Sequence, residues 1–397
     1  MREIYLDTAA TTKPDPQVLV DFVKYSEMYP YNPSSIYAGG IAAKNALEEA
    51  RAKIADCVGC EADEIFFTSG GTESNNMVIK GFFEKLPKNE IGVLITSQIE
   101  HPSVLRVAED LEVNNSRDHI RVYYLPVDSH GIVSSETLNN TITAEIDDGV
   151  VPNNILVSIQ EANNEIGTVQ DWGLKDICEK KRVWHHADVV QYFPHNPGMR
   201  IFCYDSVSVS GHKFGALRGT GFVYMSREFQ KHISPLLLGG HQELGMRAGT
   251  ENVAGFCAMA DRIKRMHQNW FFGDMEEYND RIDRRDEYLR ELFERLDKKK
   301  IDYKINGDSD IPVWSLTFHG VDANALISLL SEKKIFLSAG SACHSYEPEP
   351  SHVLKAIGLS DEDAKSTVRI CWNPDVTDDE WEFFLEQLIF YIKLLKG

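Results

Sequence analysis

The sequence predicts an α/β protein, with a large lobe built on a mainly parallel sheet and a smaller α+β lobe following it. Three observations carry that expectation. Seven apolar runs of strand length recur between residues 64 and 224. Helical patterns fall in several of the intervals, and strands that alternate with helices pair in parallel under helical cover. After about residue 258 the texture changes to long, highly charged helical stretches, and 397 residues exceed what one compact core usually holds.

Taken in chain order, Met1 to Asp7 reads as a short strand. From Ile41 to Val58 the apolar positions Leu47, Ala50, Ile54 and Val58 recur at helical spacing with charged residues between them, and Gly59 supplies the stop. The strand runs follow at 64–68, 93–96, 122–125, 155–159, 183–186, 206–209 and 221–224, with a helix at 174–181 among them. Beyond them come a charged helix through 276–299, a strand at 313–318 and a helix at 324–332. Thr377-Asp-Asp-Glu380 is a capping-box pattern, and Trp381, Phe384, Leu385, Leu388, Ile392 and Leu395 share one face of the helix it opens. That face is expected to pack on the smaller lobe. With no repeat, low-complexity tract or linker, the two lobes are expected to pack together.

The charge balance narrows the partners. With 41 Lys and Arg against 61 Asp and Glu, the net charge of -20 opposes a phosphate backbone and excludes nucleic acid as a direct ligand. No stretch approaches the ~20 apolar residues of a spanning helix, and the first residues lack a basic-then-apolar leader pattern. A cytoplasmic protein without membrane association is expected. Seven cysteines are too sparse and irregular for a disulfide framework. Cys57 and Cys60 form one C-x-x-C, but no second pair follows at zinc spacing, so the pair reads as structural and no metal site is expected.

Three segments carry chemistry. Ser206-Val-Ser-Val-Ser-Gly-His-Lys-Phe214 puts Lys213 just past an apolar strand, where its amine can reach an aldehyde at the carboxyl edge of the sheet. Taken alone, a lysine there is usually a solvated surface group. Asp188, at the end of Val183-Trp-His-His-Ala-Asp188, is the partner that matters: a carboxylate at a strand end can keep a pyridine nitrogen protonated, which makes the ring an electron sink. Ser69-Gly-Gly-Thr-Glu-Ser74 links a strand to a helix, and its glycines with the helix N-terminus suit a phosphate, with Gly71 and Thr72 as contacts. Neither the dinucleotide nor the P-loop glycine pattern is present, which leaves a compact phosphate ester.

In order along the chain stand Gly70-Gly-Thr-Glu-Ser-Asn-Asn76, Glu100-His-Pro102, Asn163-Asn-Glu-Ile-Gly167, His186-Ala-Asp-Val-Val-Gln191, Ser210-Gly-His-Lys213, Arg247-Ala-Gly-Thr-Glu-Asn252 and Ser341-Ala-Cys343. Together they resemble the NifS/IscS-like cysteine desulfurases of the class V aminotransferase group. The likeness runs from Tyr5-Leu-Asp-Thr-Ala-Ala-Thr11 to the C-terminal helix. It implies fold type I architecture, with a mainly parallel seven-stranded sheet in a large cofactor-binding domain over 13–257. Residues 1–12 and 258–397 would form the smaller domain, carrying the cysteine loop.

The resemblance also implies roles. Pyridoxal 5'-phosphate would be bound to Lys213 as a Schiff base, with His101 stacked on its ring and Asp188 at its nitrogen. Asn164 and Gln191 would contact the phenolic oxygen and its surroundings, Ser210 and His212 would join Thr72 around the phosphate, and Thr250 would reach the phosphate of the neighbouring subunit in a homodimer. Arg369, in Thr367-Val-Arg-Ile-Cys371, would grip the substrate carboxylate with help from Asn32. Cys343 lies in a loop of small residues and prolines, unlike the apolar setting of an inert core cysteine. It would take sulfur from L-cysteine as a persulfide and pass it to an acceptor protein of iron–sulfur cluster assembly or tRNA thiolation. Ile36-Tyr37, Gly215 to Arg218, His241 and His344 depart from the usual pattern. A selenocysteine lyase or another class V enzyme, and a non-catalytic sulfur-transfer scaffold, stay open as alternatives.

Overall fold

The computed structural model describes residues 3–113, 119–273, 275–340 and 350–397, with the backbone alone for 272 and 275–282. Among them the strands are β1 (Ile4–Tyr5), β2 (Ile65–Thr68), β3 (Gly92–Ser97), β4 (Ile120–Leu125), β5 (Ile155–Ser158), β6 (Trp184–Asp188), β7 (Ser206–Ser210), β8 (Gly221–Met225), β9 (Lys304–Asn306), β10 (Val313–Thr317), β11 (Ile335–Phe336) and β12 (Thr367–Cys371). Seven of them form the central sheet in the order β2-β8-β7-β6-β5-β3-β4. β8 is antiparallel to both its neighbours, and the other six run in one direction.

The sheet is covered on both faces, so its inner strands read as continuous apolar runs. Leu94 and Leu156 point into a cluster with Met77, Phe82 and Val104 from the helices Gly71–Lys85 and Pro102–Val113. Val93, Ile95, Ile155 and Val157 alternate to the other face and meet Leu138, Ile142 and Leu174. Further along that sheet Val207, Val209 and Phe222 pack under the helix Ala38–Val58, whose Ala43, Ala46 and Ala50 permit a close approach. That helix ends where expected, at Gly59 in the left-handed region (φ 76°), which favours glycine.

The charged stretch after 258 resolves into two helices, Val253–Phe272 and Met275–Lys298. The first packs Phe256, Met259 and Ile263 into the cluster that contains Val207 and Phe222. The second contributes Leu292 and Leu296 to a separate core with Trp314, Leu316, Leu326, Val368 and Ile370. There β10 pairs antiparallel with β9 and β12, while β1 pairs parallel with β11. The C-terminal helix Asp378–Lys396 presents Trp381, Phe384, Leu388 and Ile392 to this core, and each such side chain contributes about 1.5–3 kcal/mol on burial. Its capping box forms: the Glu380 amide donates to Thr377 Oγ1 at 3.3 Å and the Thr377 amide to Glu380 Oε2 at 3.0 Å. We propose the two-domain division 13–257 against 1–12 and 258–397, with the helix Val253–Phe272 as the element that crosses it. Among the described residues no helix is long and apolar enough to cross a membrane.

Candidate active site

Six strands pointing one way bring six carboxyl ends to one edge of the sheet, the edge where open α/β sheets hold ligands. β2 runs there into Gly70-Gly71, β3 into the turn before His101, β5 toward Asn163-Asn164, β6 ends on Asp188 and β7 leads to Lys213. Residues more than a hundred positions apart in sequence thereby meet for a reason fixed by topology.

Gly70 and Gly71 are required by space as well as by conformation. Gly70 has φ 147°, and a Cβ on Gly71 would come 2.6 Å from Val190 Cγ2. Gly71 opens the helix Gly71–Lys85, whose N-cap carries no side-chain hydrogen bond, so its first amides are available to an anion. Ser210 is buried at the end of β7, with its Oγ 3.2 Å from where a Gly70 Cβ would stand. Thr72 is exposed on the first turn. His212, next to Lys213, places Nδ1 3.1 Å from Thr11 Oγ1 and is pushed down to about 4 by burial, reinforced by Lys213, Arg218 and His101. It is therefore neutral at pH 7.

Asp188 is 7% exposed and held at both oxygens: the Val190 amide donates to Oδ1 at 2.9 Å and Asn75 Nδ2 to Oδ2 at 2.7 Å. Asn75 Nδ2 also donates to Ser103 Oγ at 2.9 Å, and that hydroxyl lies 2.8 Å from His101 Nδ1. Asp188 and His101 are thus joined through two buried side chains. Glu100, beside His101, is fully buried and pushed up to about 8 by desolvation, against the lowering effect of Ser97 and the Gln160 amide.

Lys213 Nζ donates to the carbonyls of Ala9 at 2.6 Å and Ala10 at 3.1 Å. It lines a cavity of about 770 Å³ together with Gln191, Tyr5, Thr12, His195 and Trp372. Gln191 is 6% exposed and its Oε1 has no hydrogen-bond partner among the described residues. Buried acceptors are rarely left so, and this one belongs to a residue lining the same cavity as Lys213.

Arg369, in the middle strand position of β12, is 1% exposed. Its Nη1 donates to the Asn164 carbonyl at 2.9 Å, and its Nη2 to Asp7 Oδ1 at 2.5 Å and Ser338 Oγ at 3.2 Å, while Nε has no partner among the described residues. The next residue after Asn164 is Glu165, whose Oε2 accepts from Ser351 Oγ at 2.6 Å and would stand 2.9 Å from a Cβ on Gly340. Arg369, Asn164 and the residues on either side of 341–349 therefore gather around one turn. Cys343 itself lies outside the described residues.

Two expected residues stand apart from this set. Asn32 is exposed, and its Oδ1 accepts the Ser34 amide at 2.8 Å within its own turn. Thr250 is also exposed, on a segment tied to the helix Gly71–Lys85 by Arg247, whose Nε donates to Glu73 Oε1 at 2.8 Å. Sequence reasoning missed Asn75, Ser103 and Asp7. Asn75 carried a signal, since it lies four residues after Gly71 on the helix face that continues to Val78 and Phe82, where a polar residue must be buried. Asp7 carried none, because its partner Arg369 is distant in sequence, and Ser103 gains its meaning only from the bond to Asn75, 28 positions away.

The chain matches the model of the aminotransferase class-V family over residues 4–384. It is 35% identical over 402 residues to "Cysteine desulfurase IscS" of Clostridium botulinum, covering 99% of this chain and 95% of that protein. Among solved structures, a "NIFS-like protein" superposes with a TM-score of 0.84 at 30% identity, over 99% of this chain and 100% of its own. A structure described as SspA in complex with cysteine matches with a TM-score of 0.74 at 29% identity, over 94% of this chain and 99% of its own. A glycine cradle, a lysine and a buried carboxylate on one sheet edge, in a chain matched almost end to end, admit one conclusion: this protein belongs to the aminotransferase class-V family, in its group of cysteine desulfurases.

Proposed function

We propose that the protein converts L-cysteine to L-alanine with pyridoxal 5'-phosphate, taking the sulfur on Cys343 as a persulfide for an acceptor protein. The observation that carries this reading is the convergence of Gly71, His101, Asp188 and Lys213 at the carboxyl ends of strands sharing one direction. The residues present suit the cofactor on the structure's own terms. The Gly70-Gly71 turn leaves amides and space for a phosphate, Asp188 offers a fixed carboxylate for a ring nitrogen, and the orphaned Gln191 Oε1 offers an acceptor beside Lys213. When bound, the cofactor supplies an electron sink that stabilises charge at the carbon next to the substrate's amino group.

The chain's own residues would then divide the work. Arg369 receives the substrate carboxylate, for which its unpartnered Nε and its exchangeable bond to Asp7 are suited. Lys213 moves a proton at Nζ, and His101 moves one at its ring. The Cys343 thiolate attacks the substrate sulfur: a sulfur–sulfur bond forms, the carbon–sulfur bond breaks, and its electron pair stays on carbon, which takes a proton. L-cysteine and one thiol become L-alanine and one persulfide, with no outside oxidant. Ser210, His212 and Thr72 assist at the phosphate, Asn164 at the ring, Asn32 at the substrate, and Thr250 serves the site of a second subunit.

Absorbance and product assays test the reading. Protein supplied with pyridoxal phosphate should turn yellow, and Lys213→Ala should lose the borohydride-fixable linkage. Cys343→Ala should keep the visible band yet make neither alanine nor sulfide from cysteine. Colourless protein, or an unchanged rate in Cys343→Ala, sinks the proposal.

A further inference from the structure

Asn75 and Ser103 stand between two groups of the proposed site and touch both. Asn75 is fully buried and Ser103 is 7% exposed, so water does not compete for their hydrogen bonds. The direction of each bond in the chain can be worked out from the end that has no freedom. The Val190 amide fixes Asp188 Oδ1 as an acceptor, and Oδ2 of the same carboxylate can likewise only accept. Asn75 must therefore turn its Nδ2 toward Asp188, because the opposite amide orientation would set oxygen against oxygen at 2.7 Å. The cost of that choice is visible: Asn75 Oδ1 is buried with no partner among the described residues.

The same amide nitrogen gives its second hydrogen to Ser103 Oγ at 2.9 Å. The Ser103 backbone amide donates to His101 Nδ1 at 3.1 Å and makes that nitrogen an acceptor, so the Ser103 hydroxyl, 2.8 Å away and already accepting from Asn75, turns its hydrogen to the same nitrogen. Nδ1 faces two donors and cannot carry a hydrogen of its own. Among the described residues, Glu100 adjoins His101 in sequence, and His212, next to Lys213, feels its charge across the site.

We propose that Asn75 and Ser103 are positioning residues that transmit the ionised state of Asp188 to His101 and fix the imidazole proton on Nε2. The inference rests on the function proposed above, because it assigns a role to the link between the cofactor's nitrogen partner and its stacked histidine. It means that the protonation state at one end of the cofactor ring selects which imidazole nitrogen can give a proton. The device contains no covalent step and needs no further ligand.

The test reads a tautomer. Full-length protein labelled with nitrogen-15 in histidine is compared with and without pyridoxal phosphate, using multiple-bond proton–nitrogen spectra, with His101→Gln to identify the signals. The wild type should carry the His101 proton on Nε2 in both states. Asp188→Asn is the decisive variant, because residue 188 is joined to the imidazole through Asn75 and Ser103. The Val190 amide keeps Oδ1 in place, so the new Nδ2 faces Asn75, whose amide turns over. Ser103 then donates to Asn75 Oδ1, so His101 Nδ1 loses the hydroxyl donor and keeps only the Ser103 amide.

One hydrogen bond exchanged in this way should lower the ratio of Nε2–H to Nδ1–H about tenfold, the equivalent of ~1.4 kcal/mol. In a Ser103→Ala background Asp188→Asn should have no further effect, and Ser103→Thr should restore the wild-type ratio. A wild-type proton on Nδ1, or a ratio indifferent to Asp188→Asn, overturns the proposal. Protein that takes up no cofactor but shows the tautomer response sinks the proposed function alone, and loaded yellow protein without the response sinks the relay alone.

Discussion

Single residues decide whether the sheet edge can accept an anion. A Cβ on Gly71 would stand 2.6 Å from Val190 Cγ2, and the Val190 amide holds Asp188 Oδ1 from two residues away, so any relief moves the carboxylate as well. Gly71→Ala is expected to cost about 1–3 kcal/mol of stability through overpacking and to weaken pyridoxal phosphate binding at least about tenfold. A thermal melt and an absorbance titration measure the two effects, and unchanged affinity would remove Gly71 from the cradle. At this scale the sequence was informative wherever a residue had to follow a strand: Gly71, Asp188, Ser210 and Lys213 all stand where a strand-end argument puts them. It was silent about Asp7, because a guanidinium 362 positions away gives the carboxylate its partner. Cys343, central to the proposed chemistry, was read from the family resemblance together with the small residues and prolines around it.

At the scale of elements, β6 carries more than Asp188. His186 is fully buried between strands, with Nδ1 2.8 Å from Ser158 Oγ on β5 and Nε2 3.0 Å from Ser208 Oγ on β7, so one side chain ties three strands together. Burial pushes His186 down to about 3 and its neighbour His185 down to about 4. Below an ordinary pKa of 6.5 the unfolded chain takes up protons that the folded strand refuses, so stability should climb from pH 4.5 to 6.5. Glu100 acts oppositely: held up at about 8, it keeps a proton that the unfolded chain releases above 4.5, and its contribution declines from pH 4.5 to 8. Urea midpoints across this range should rise by pH 6.5 and then level or fall; a flat profile below 6.5 would contradict buried neutral histidines.

The segment before Thr250 is also an element with a cost. Glu243 and Leu244 both sit in the left-handed region at φ 47° and 55°, roughly 1–3 kcal/mol of strain each. What holds them is a buried bidentate pair, Arg51 to Glu243 at 2.7 Å through both guanidinium ends, with the Phe67 amide on the same carboxylate at 2.7 Å. Arg51→Met should lower unfolding free energy by about 3–5 kcal/mol by leaving Glu243 buried and unpaired. The double variant with Glu243→Gln should recover part of that loss in a denaturant titration. None of this pairing was legible beforehand, because Arg51 reads as one more charged position on an amphipathic helix.

The whole molecule leaves apolar side chains in water that a second copy would cover. Leu19, Val20 and Val23 on the helix Pro16–Met28 are 47–59% exposed, Ile36 is 93% exposed, and Leu238 and Leu244 beside Thr250 are 85% and 73% exposed. We propose that these surfaces belong to the homodimer, which would bring Thr250 to a neighbouring site. Light scattering should return twice the 44.9 kDa chain mass, and Leu244→Glu should shift the protein toward monomer. The order of strands was legible as alternation, yet their spatial sequence was not, since parallel runs carry no mark of which neighbour they choose.

The single reversed strand has a practical use. Because β8 runs against the other six, it begins beside Gly70 and delivers the chain, at Met225, to the far rim of the sheet, where β3, β5 and β6 start. The short helix Arg227–Gln230 that follows is a natural attachment point for a fluorophore, a surface tether or a purification handle, since cargo there would hang on the side of the molecule opposite its chemistry.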